Sequence, residues 1–257
     1  MSINRVALVT GAAQGMGEAI ALRLAEDPSG IDVAILDIPG KETQLANVAK
    51  AIEAKGRKAI WIAADVSSED SVKGAVEKTV AEFGGLDIMV ANAGVTLFKP
   101  MIETTVEDWN KIHSINALGV MLCFKHAAIQ MIKQGRGGRI IGACSGSGKQ
   151  GVNNMSAYSA SKFATQLVLF SALELKSHKI TVNSYAPGFI LTPMLAHPDD
   201  DKYGGLGSVA KMAANMPPEM EGAKPDVIAE LVAYLIKPQA WFMTGQTLII
   251  DGGLFFD

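Results

Sequence analysis

Arg5-Val6-Ala7-Leu8-Val9-Thr10-Gly11-Ala12-Ala13-Gln14-Gly15-Met16-Gly17 runs from an apolar stretch through a glycine-rich turn into a segment of helical period. A strand that delivers such a turn to a helix N-terminus aims backbone N–H groups and the helix dipole at an anion, and the missing side chains allow a pyrophosphate to come close. Gly11, Gln14, Gly15, Met16 and Gly17 are therefore candidate cofactor-binding residues. The spacing is Gly-x-x-x-Gly-x-Gly, not the common dinucleotide pattern Gly-x-Gly-x-x-Gly. Outward from this turn, short apolar runs at 6–9, 33–36, 59–62, 88–91, 139–143, 180–184 and 247–250 read as strands. Segments 16–26, 42–55, 71–83, 106–134, 157–177 and 226–236 carry the helical pattern. Strands alternating with helices imply an α/β fold with a doubly wound, seven-stranded parallel sheet and helices on both faces. No repeat or linker interrupts the series, so 1–257 reads as one domain. The irregular stretch 193–225, with Asp199-Asp200-Asp201, Gly204-Gly205 and Pro217-Pro218, predicts a lid over the binding site.

Composition narrows the function classes. The chain has 257 residues, 49% hydrophobic and 19% charged, enough for a large single core. Its 23 basic and 26 acidic residues leave a formal charge of −3 with no basic block, which argues against nucleic acid or an anionic membrane as partner. Cys123 and Cys144 are too few for a disulfide framework, and no Cys/His cluster has metal-ligand spacing, so no metal is expected. The first strand begins within a few residues of Met1, leaving no room for a signal peptide, and no uninterrupted apolar run approaches about 18 residues. These features predict a soluble, cytoplasmic protein.

Asp37 ends the second strand, twenty residues after Gly17, where a carboxylate accepts both hydrogen bonds from an adenosine ribose and repels a 2′-phosphate. Gln14 and Ile38 bring no positive charge to offset that repulsion, so NAD is the expected cofactor and NADP the less favoured one. Tyr158-Ser-Ala-Ser-Lys162 places a phenol and an ammonium on one face of a helix. A nearby ammonium and a positively charged oxidised nicotinamide both favour phenolate, which predicts a tyrosine pKa lowered from about 10 toward working pH.

With the glycine turn, Asn92-Ala93-Gly94, Ser145 thirteen residues before Tyr158, and Pro187-Gly188, the chain in this order resembles the classical short-chain dehydrogenase/reductase family, whose domain is a Rossmann fold. The resemblance covers essentially the whole chain, down to Thr244–Gly253. It implies Tyr158 as general acid/base, Lys162 as its electrostatic partner and a nicotinamide-ribose ligand, Ser145 as a hydrogen-bond donor to the substrate oxygen, and Asn116 as fourth catalytic residue through a water held by its carbonyl. It also implies Asp65 and Val66 at the adenine, Asn92, Ala93 and Gly94 along the cofactor, and Pro187, Gly188, Ile190 and Thr192 around the nicotinamide carboxamide. Asp65 also reads as a plain cap for the helix that follows. Two positions depart from the family pattern: Ala91 precedes Asn92 where many relatives carry a second asparagine, and Cys144 stands where serine is common.

The implied activity is hydride transfer between nicotinamide and a secondary alcohol or ketone. Ser147, Gln150, Asn153, Phe189 and Met194 are the candidate substrate residues. Met194, Leu195, Tyr203, Leu206, Met212, Met216 and Met220 make the lid apolar, which suits an uncharged small molecule, either a small diketone or diol of the acetoin/diacetyl type or a terpenoid-like alcohol. Apolar residues on more than one face of 106–134 and 157–177, among them Leu118, Met121, Leu122, Phe124 and Leu167 to Phe170, predict burial beyond one subunit, and the resemblance implies a homotetramer. Two alternative readings of the same residues are a regulator and a different enzyme class. A non-catalytic dinucleotide-binding regulator would be expected to lose a member of the catalytic group, and all are kept. A dehydratase or epimerase needs a nucleotide-sugar domain, for which the five residues after Gly252 leave no room.

Overall fold

The computed structural model describes residues 4–256, without the side chains of Val168 and Leu169. Among these residues, seven parallel strands form one sheet: β1 (Arg5–Thr10), β2 (Ile31–Asp37), β3 (Ala59–Ala63), β4 (Ile88–Ala91), β5 (Gly138–Ala143), β6 (Ile180–Pro187) and β7 (Thr247–Ile250). Their order is β3-β2-β1-β4-β5-β6-β7. The order reverses between β1 and β4, and the crevice at the carboxyl ends of those strands is where such sheets bind ligands.

Strand side chains alternate between two cores, as the period of two requires. Ala7 and Val9, Val33 and Ile35, Ile88 and Val90 pack with α1 (Gly15–Ala25), α2 (Glu42–Glu53) and α9 (Asp226–Leu235). Leu8, Ala34, Leu36, Met89 and Ile140 pack on the other face with α3 (Glu69–Phe83) and α5 (Gly119–Gln134). Both faces are covered, so the strands are nearly continuous in apolar residues. Local signals set the helix limits. The Ser68 side chain accepts from Ser71 N to start α3, and Gly84 ends it in the left-handed region (φ 81°). Thr105 and Asp108 form a reciprocal capping box at the start of α4 (Val106–His113).

Two long helices expected from the sequence are interrupted. A π-turn, Ser114–Leu118, separates α4 from α5, and a 3₁₀ turn, Ala164–Gln166, separates α6 (Ser156–Phe163) from α7 (Leu167–Leu175). Apolar periodicity does not register one extra residue in a turn, so the pattern read straight through. Val106–Gln134 as a whole spans 29 residues with a mean hydropathy of 1.4 in its 18-residue window, enough by length and composition to cross a bilayer. Counting only uninterrupted apolar residues missed this. Half of that window is buried in the fold, with Leu122, Cys123 and Phe124 in the core, as in a core helix.

The 193–225 segment is more ordered than its composition suggested. It holds 3₁₀ turns at Pro193–Leu195 and Asp200–Lys202 and the helix α8 (Ser208–Ala213). Asp200 organises it: its carboxylate accepts from His197 N (2.8 Å), Gly207 N (3.0 Å) and Val209 N (3.0 Å). Lys211 Nζ donates to Met220 O (2.6 Å) and Pro218 O (3.3 Å).

Candidate active site

The glycine turn is shaped by what it must pack against. Gly11 has φ +65°, a region open to glycine at little cost, and a Cβ on Gly17 would land on the carbonyl oxygen of Gly11. Asn92 braces the turn, donating from Nδ2 to Thr10 O (2.9 Å) and Gly11 O (3.2 Å). Two supports were not read from the sequence. Tyr185 donates its hydroxyl to Asn92 Oδ1 (2.8 Å), and Thr10 Oγ1 accepts from the amides of Asn92 and Ala93 (3.0 Å each). A lone tyrosine in the wholly buried strand β6 was the available signal, since a buried hydroxyl needs a partner.

A crevice of about 1040 Å³, open mouth included, runs along this turn. Of the residues expected at the cofactor, Gly11, Gln14, Gly15, Met16, Asp37, Ile38, Asp65, Val66, Asn92, Ala93, Gly94 and Thr192 line it. Gly17 lies buried behind the turn. Leu36, Ala64 and Ile115 line it as well, unforeseen because nothing polar marks them. Asp37 is held by Ala13 N on Oδ2 (3.0 Å) and Ile38 N on Oδ1 (2.9 Å), so its carboxylate has a fixed aim. Gln14 and Ile38 carry no charge, but Lys41 was not read from the sequence: its Nζ donates to Gln14 Oε1 (3.3 Å), four positions beyond Asp37 and brought back by the turn into α2. Asp65 accepts from the amide and hydroxyl of Ser67 (2.8 Å each), but the cap of α3 is Ser68, so the plain-cap reading of Asp65 does not hold. These groups fit a dinucleotide: a turn without side chains at a helix N-terminus for the pyrophosphate, and an oriented carboxylate at the end of β2 for a diol.

A second cavity, about 880 Å³ with its mouth, adjoins the first; Met16, Asn92, Gly94, Val95, Thr192 and Met194 line both. It contains Ser145, Tyr158 and Lys162, with Pro187, Gly188 and Ile190 on its wall. Tyr158 and Lys162 lie on α6, and Lys162 Nζ sits 5.8 Å from the Tyr158 ring centroid while donating to Ala143 O (2.9 Å). Ser145 hydrogen-bonds the Tyr158 side chain, and its Oγ accepts from Ser147 N (3.2 Å). Burial pushes the Tyr158 phenol up to about 12, against the pull of the Ser145 hydrogen bond, and pulls the Lys162 ammonium down to about 8. Burial therefore works against the lowering expected from a nearby ammonium and an oxidised nicotinamide together. Loss of water around the phenolate outweighs the hydrogen bond from Ser145.

Asn116 lies in the π-turn, fully buried, directly behind Gly94 and Val95, which line both cavities. Its Oδ1 accepts from Val95 N (2.9 Å), and its Nδ2 donates to Val95 O (2.9 Å) and Ser161 Oγ (3.0 Å). Ser161 Oγ donates in turn to Tyr158 O (2.7 Å), so Asn116 ties a wall of the cavity to α6. Of the substrate candidates, Ser147, Phe189 and Met194 line the cavity. Asn153 is exposed and Gln150 instead donates to Phe256 O (3.2 Å); neither reaches the cavity. Val95, Thr96, Val152, Ala214, Leu254 and Phe255 line it without having been anticipated. Cys144 is buried, with its thiol pushed up by burial and its Sγ donating to Lys162 O (3.4 Å). Lys162 is the one charged side chain among the lining residues.

Comparison with known proteins agrees with this geometry. The family model for short chain dehydrogenase matches residues 5–202. A short-chain dehydrogenase/reductase of Armillaria gallica is 48% identical over 259 residues, covering 100% of this chain and 98% of its own length. An L-2,3-butanediol dehydrogenase of Corynebacterium glutamicum is 35% identical, covering 99% and 100%. The crystal structure of a short chain dehydrogenase from Mycobacterium paratuberculosis bound to NAD superposes with TM-score 0.85 at 30% identity, covering 98% of each chain. From the glycine turn to the last strand, this chain belongs to the short-chain dehydrogenases, oxidoreductases that bind a nicotinamide dinucleotide.

Proposed function

We propose that the protein is an NAD-dependent alcohol dehydrogenase/ketone reductase acting on an uncharged, apolar secondary alcohol or ketone, with Tyr158 as its general acid/base. The observation that carries this reading is the place of Tyr158, hydrogen-bonded to Ser145 and beside Lys162, in a cavity that shares a wall with the dinucleotide crevice. Bound nicotinamide supplies or accepts the hydride and, when oxidised, adds a positive charge. In reduction Ser145 holds the substrate oxygen and Tyr158 gives it a proton; in oxidation the phenolate takes that proton back. Lys162 favours the phenolate, opposing the burial that raises it. Asn116 positions Val95 and α6, and its carbonyl holds the water that leads toward Lys162. Thr192, Ile190, Pro187 and Gly188 orient the carboxamide, and Asp65 and Val66 the adenine.

NAD is favoured because the Asp37 carboxylate is aimed by two amides, whereas the half-buried Lys41 is engaged by the Gln14 side chain. Segment 193–225 is the lid, contributing Met194, Leu195, Ala214 and Met216 to the cavity. A lining whose one charged side chain is Lys162, engaged by Ala143 O, supports an uncharged substrate, and the relative named as an L-2,3-butanediol dehydrogenase supports an alcohol. The exposed apolar residues of α5 and α7 support a homotetramer, and the composition supports a cytoplasmic location.

The test is oxidation of NADH and of NADPH by the purified protein across diketones, cyclic ketones and terpenoid ketones, with wild type and Tyr158→Phe in parallel. NADH-dependent turnover that falls at least about 100-fold in Tyr158→Phe, with NADH binding retained, is expected. Turnover that survives the substitution rejects the mechanism.

A further inference from the structure

The last residues of the chain return to the active site. After β7, Asp251 makes a tight turn: its carboxylate accepts from Gly253 N (2.9 Å) and Phe255 N (2.8 Å), while Gly252 and Gly253 have φ +71° and +85°. Gly188 gives Asp251 room, since a Cβ there would lie 2.8 Å from the Asp251 Cβ. Gln150 Nε2 holds Phe256 O at 3.2 Å from the other side. Between these two anchors Leu254 and Phe255 line the cavity that contains Ser145 and Tyr158. The Phe255 ring packs against Gly146, where a Cβ would come within 2.7 Å of two ring carbons. Gly146 directly follows Ser145, so a substrate oxygen held by Ser145 and Tyr158 places its carbon body beside this ring.

We propose that Phe255 is a specificity-determining residue and that the tail 251–256 is the part of the cavity wall that selects substrates by the apolar body carried behind the carbonyl. Phe255 joins Phe98, Phe189, Val95 and Met216 in a cavity whose one charge, Lys162, is spent on Ala143 O. Flat aromatic walls and the absence of a second charged partner suit a ring-bearing hydrocarbon ketone or alcohol better than a four-carbon diol, which would leave most of that apolar surface wet. The inference rests on the proposed reductase reading and names the substrate class of the same site. Neither fold periodicity nor the catalytic pattern reaches these residues.

The test measures binding, so that it does not depend on turnover. Calorimetric titration of the NADH complex of Tyr158→Phe with camphor and with diacetyl is compared with the same titrations after Phe255→Ala, Phe255→Leu and deletion of 255–257. Camphor is expected to lose about tenfold or more in affinity with Phe255→Ala and less with Phe255→Leu, diacetyl several-fold less than camphor, and NADH affinity to stay the same. Equal losses for both ketones, no loss for camphor, or no camphor binding before the tail is altered overturns the proposal. Turnover retained by Tyr158→Phe would instead strike the acid/base reading. The tail question is then carried by KM for camphor in wild type against Phe255→Ala, where an unchanged KM overturns it.

Discussion

At the scale of single residues, Tyr158 and Lys162 illustrate how burial and charge compete. The Lys162 ammonium is pulled from its ordinary 10.5 down to about 8 by burial, so the folded protein gives up that proton at lower pH than the unfolded chain. Below about 8 the lysine is protonated in both states and its burial is destabilising. Between about 8 and 10.5 the unfolded chain holds the extra proton, and stability rises with pH. The stability difference between Lys162→Met and wild type, from chemical denaturation without cofactor, should therefore shrink across that window, and a constant difference would contradict it. Tyr158, raised to about 12, acts in the opposite sense above pH 10, where the unfolded chain loses its proton first. Asp37 yields a second prediction. Asp37→Ala should weaken NADH binding by about tenfold or more and NADPH binding much less, because the carboxylate meets only the unphosphorylated ribose favourably. Fluorescence titration of both cofactors decides it, with Lys41→Ala as the complementary variant that should weaken NADPH alone.

At the scale of elements, strands were legible because each is a short apolar run with alternating faces, and all seven appear within a few residues of their expected limits. The helices carrying the chemistry were legible in extent but not in continuity. The π-turn at Ser114–Leu118 places Asn116 where its amide serves Val95 and Ser161, a requirement set by partners 21 and 45 positions away. Within segment 193–225, one carboxylate gathers residues 197–209. Burial alone would raise the Asp200 pKa, but hydrogen bonds from Gly207, His197 and Val209 amides and the Ser208 hydroxyl outweigh it and bring it down to about 2. That support is present above about pH 4 and lost as pH falls toward 2. Asp200→Ala removes it at neutral pH. Amide hydrogen exchange across 197–210 should then quicken by about tenfold or more, with β1 and β4 unchanged. Slow exchange in the variant would show that Asp200 does not hold the lid.

At the scale of the whole molecule, the sheet separates the two largest buried clusters, and several large apolar side chains stay uncovered among the described residues. Leu122 and Phe124, expected at a subunit contact, are 2% and 3% exposed and belong to the molecule's own core. Leu118, Phe170 and Leu173 face outward at 41%, 65% and 77%, whereas the side chains of Val168 and Leu169 lie outside the described residues. Surfaces of this kind mark interfaces. Phe170→Asp with Leu173→Arg should convert a homotetramer to smaller species, read by light scattering after size exclusion, with little change in the far-ultraviolet spectrum. An unchanged mass would place the interface elsewhere.

The sequence by itself determined the sheet, the glycine turn, the place of Asp37 and the pairing of Tyr158 with Lys162. Each of these rests on local rules: apolar alternation, a turn that excludes side chains, a strand end, and two groups one helical turn apart. Only the tertiary structure decided what depends on neighbours distant in the chain. It returned Lys41 to Gln14, set Tyr185 behind Asn92, kept Gln150 and Asn153 out of the substrate cavity and brought Phe255 in. It also set the direction of the Tyr158 shift, because how much water a phenol loses is fixed by the side chains packed around it, and no spacing along the chain encodes that.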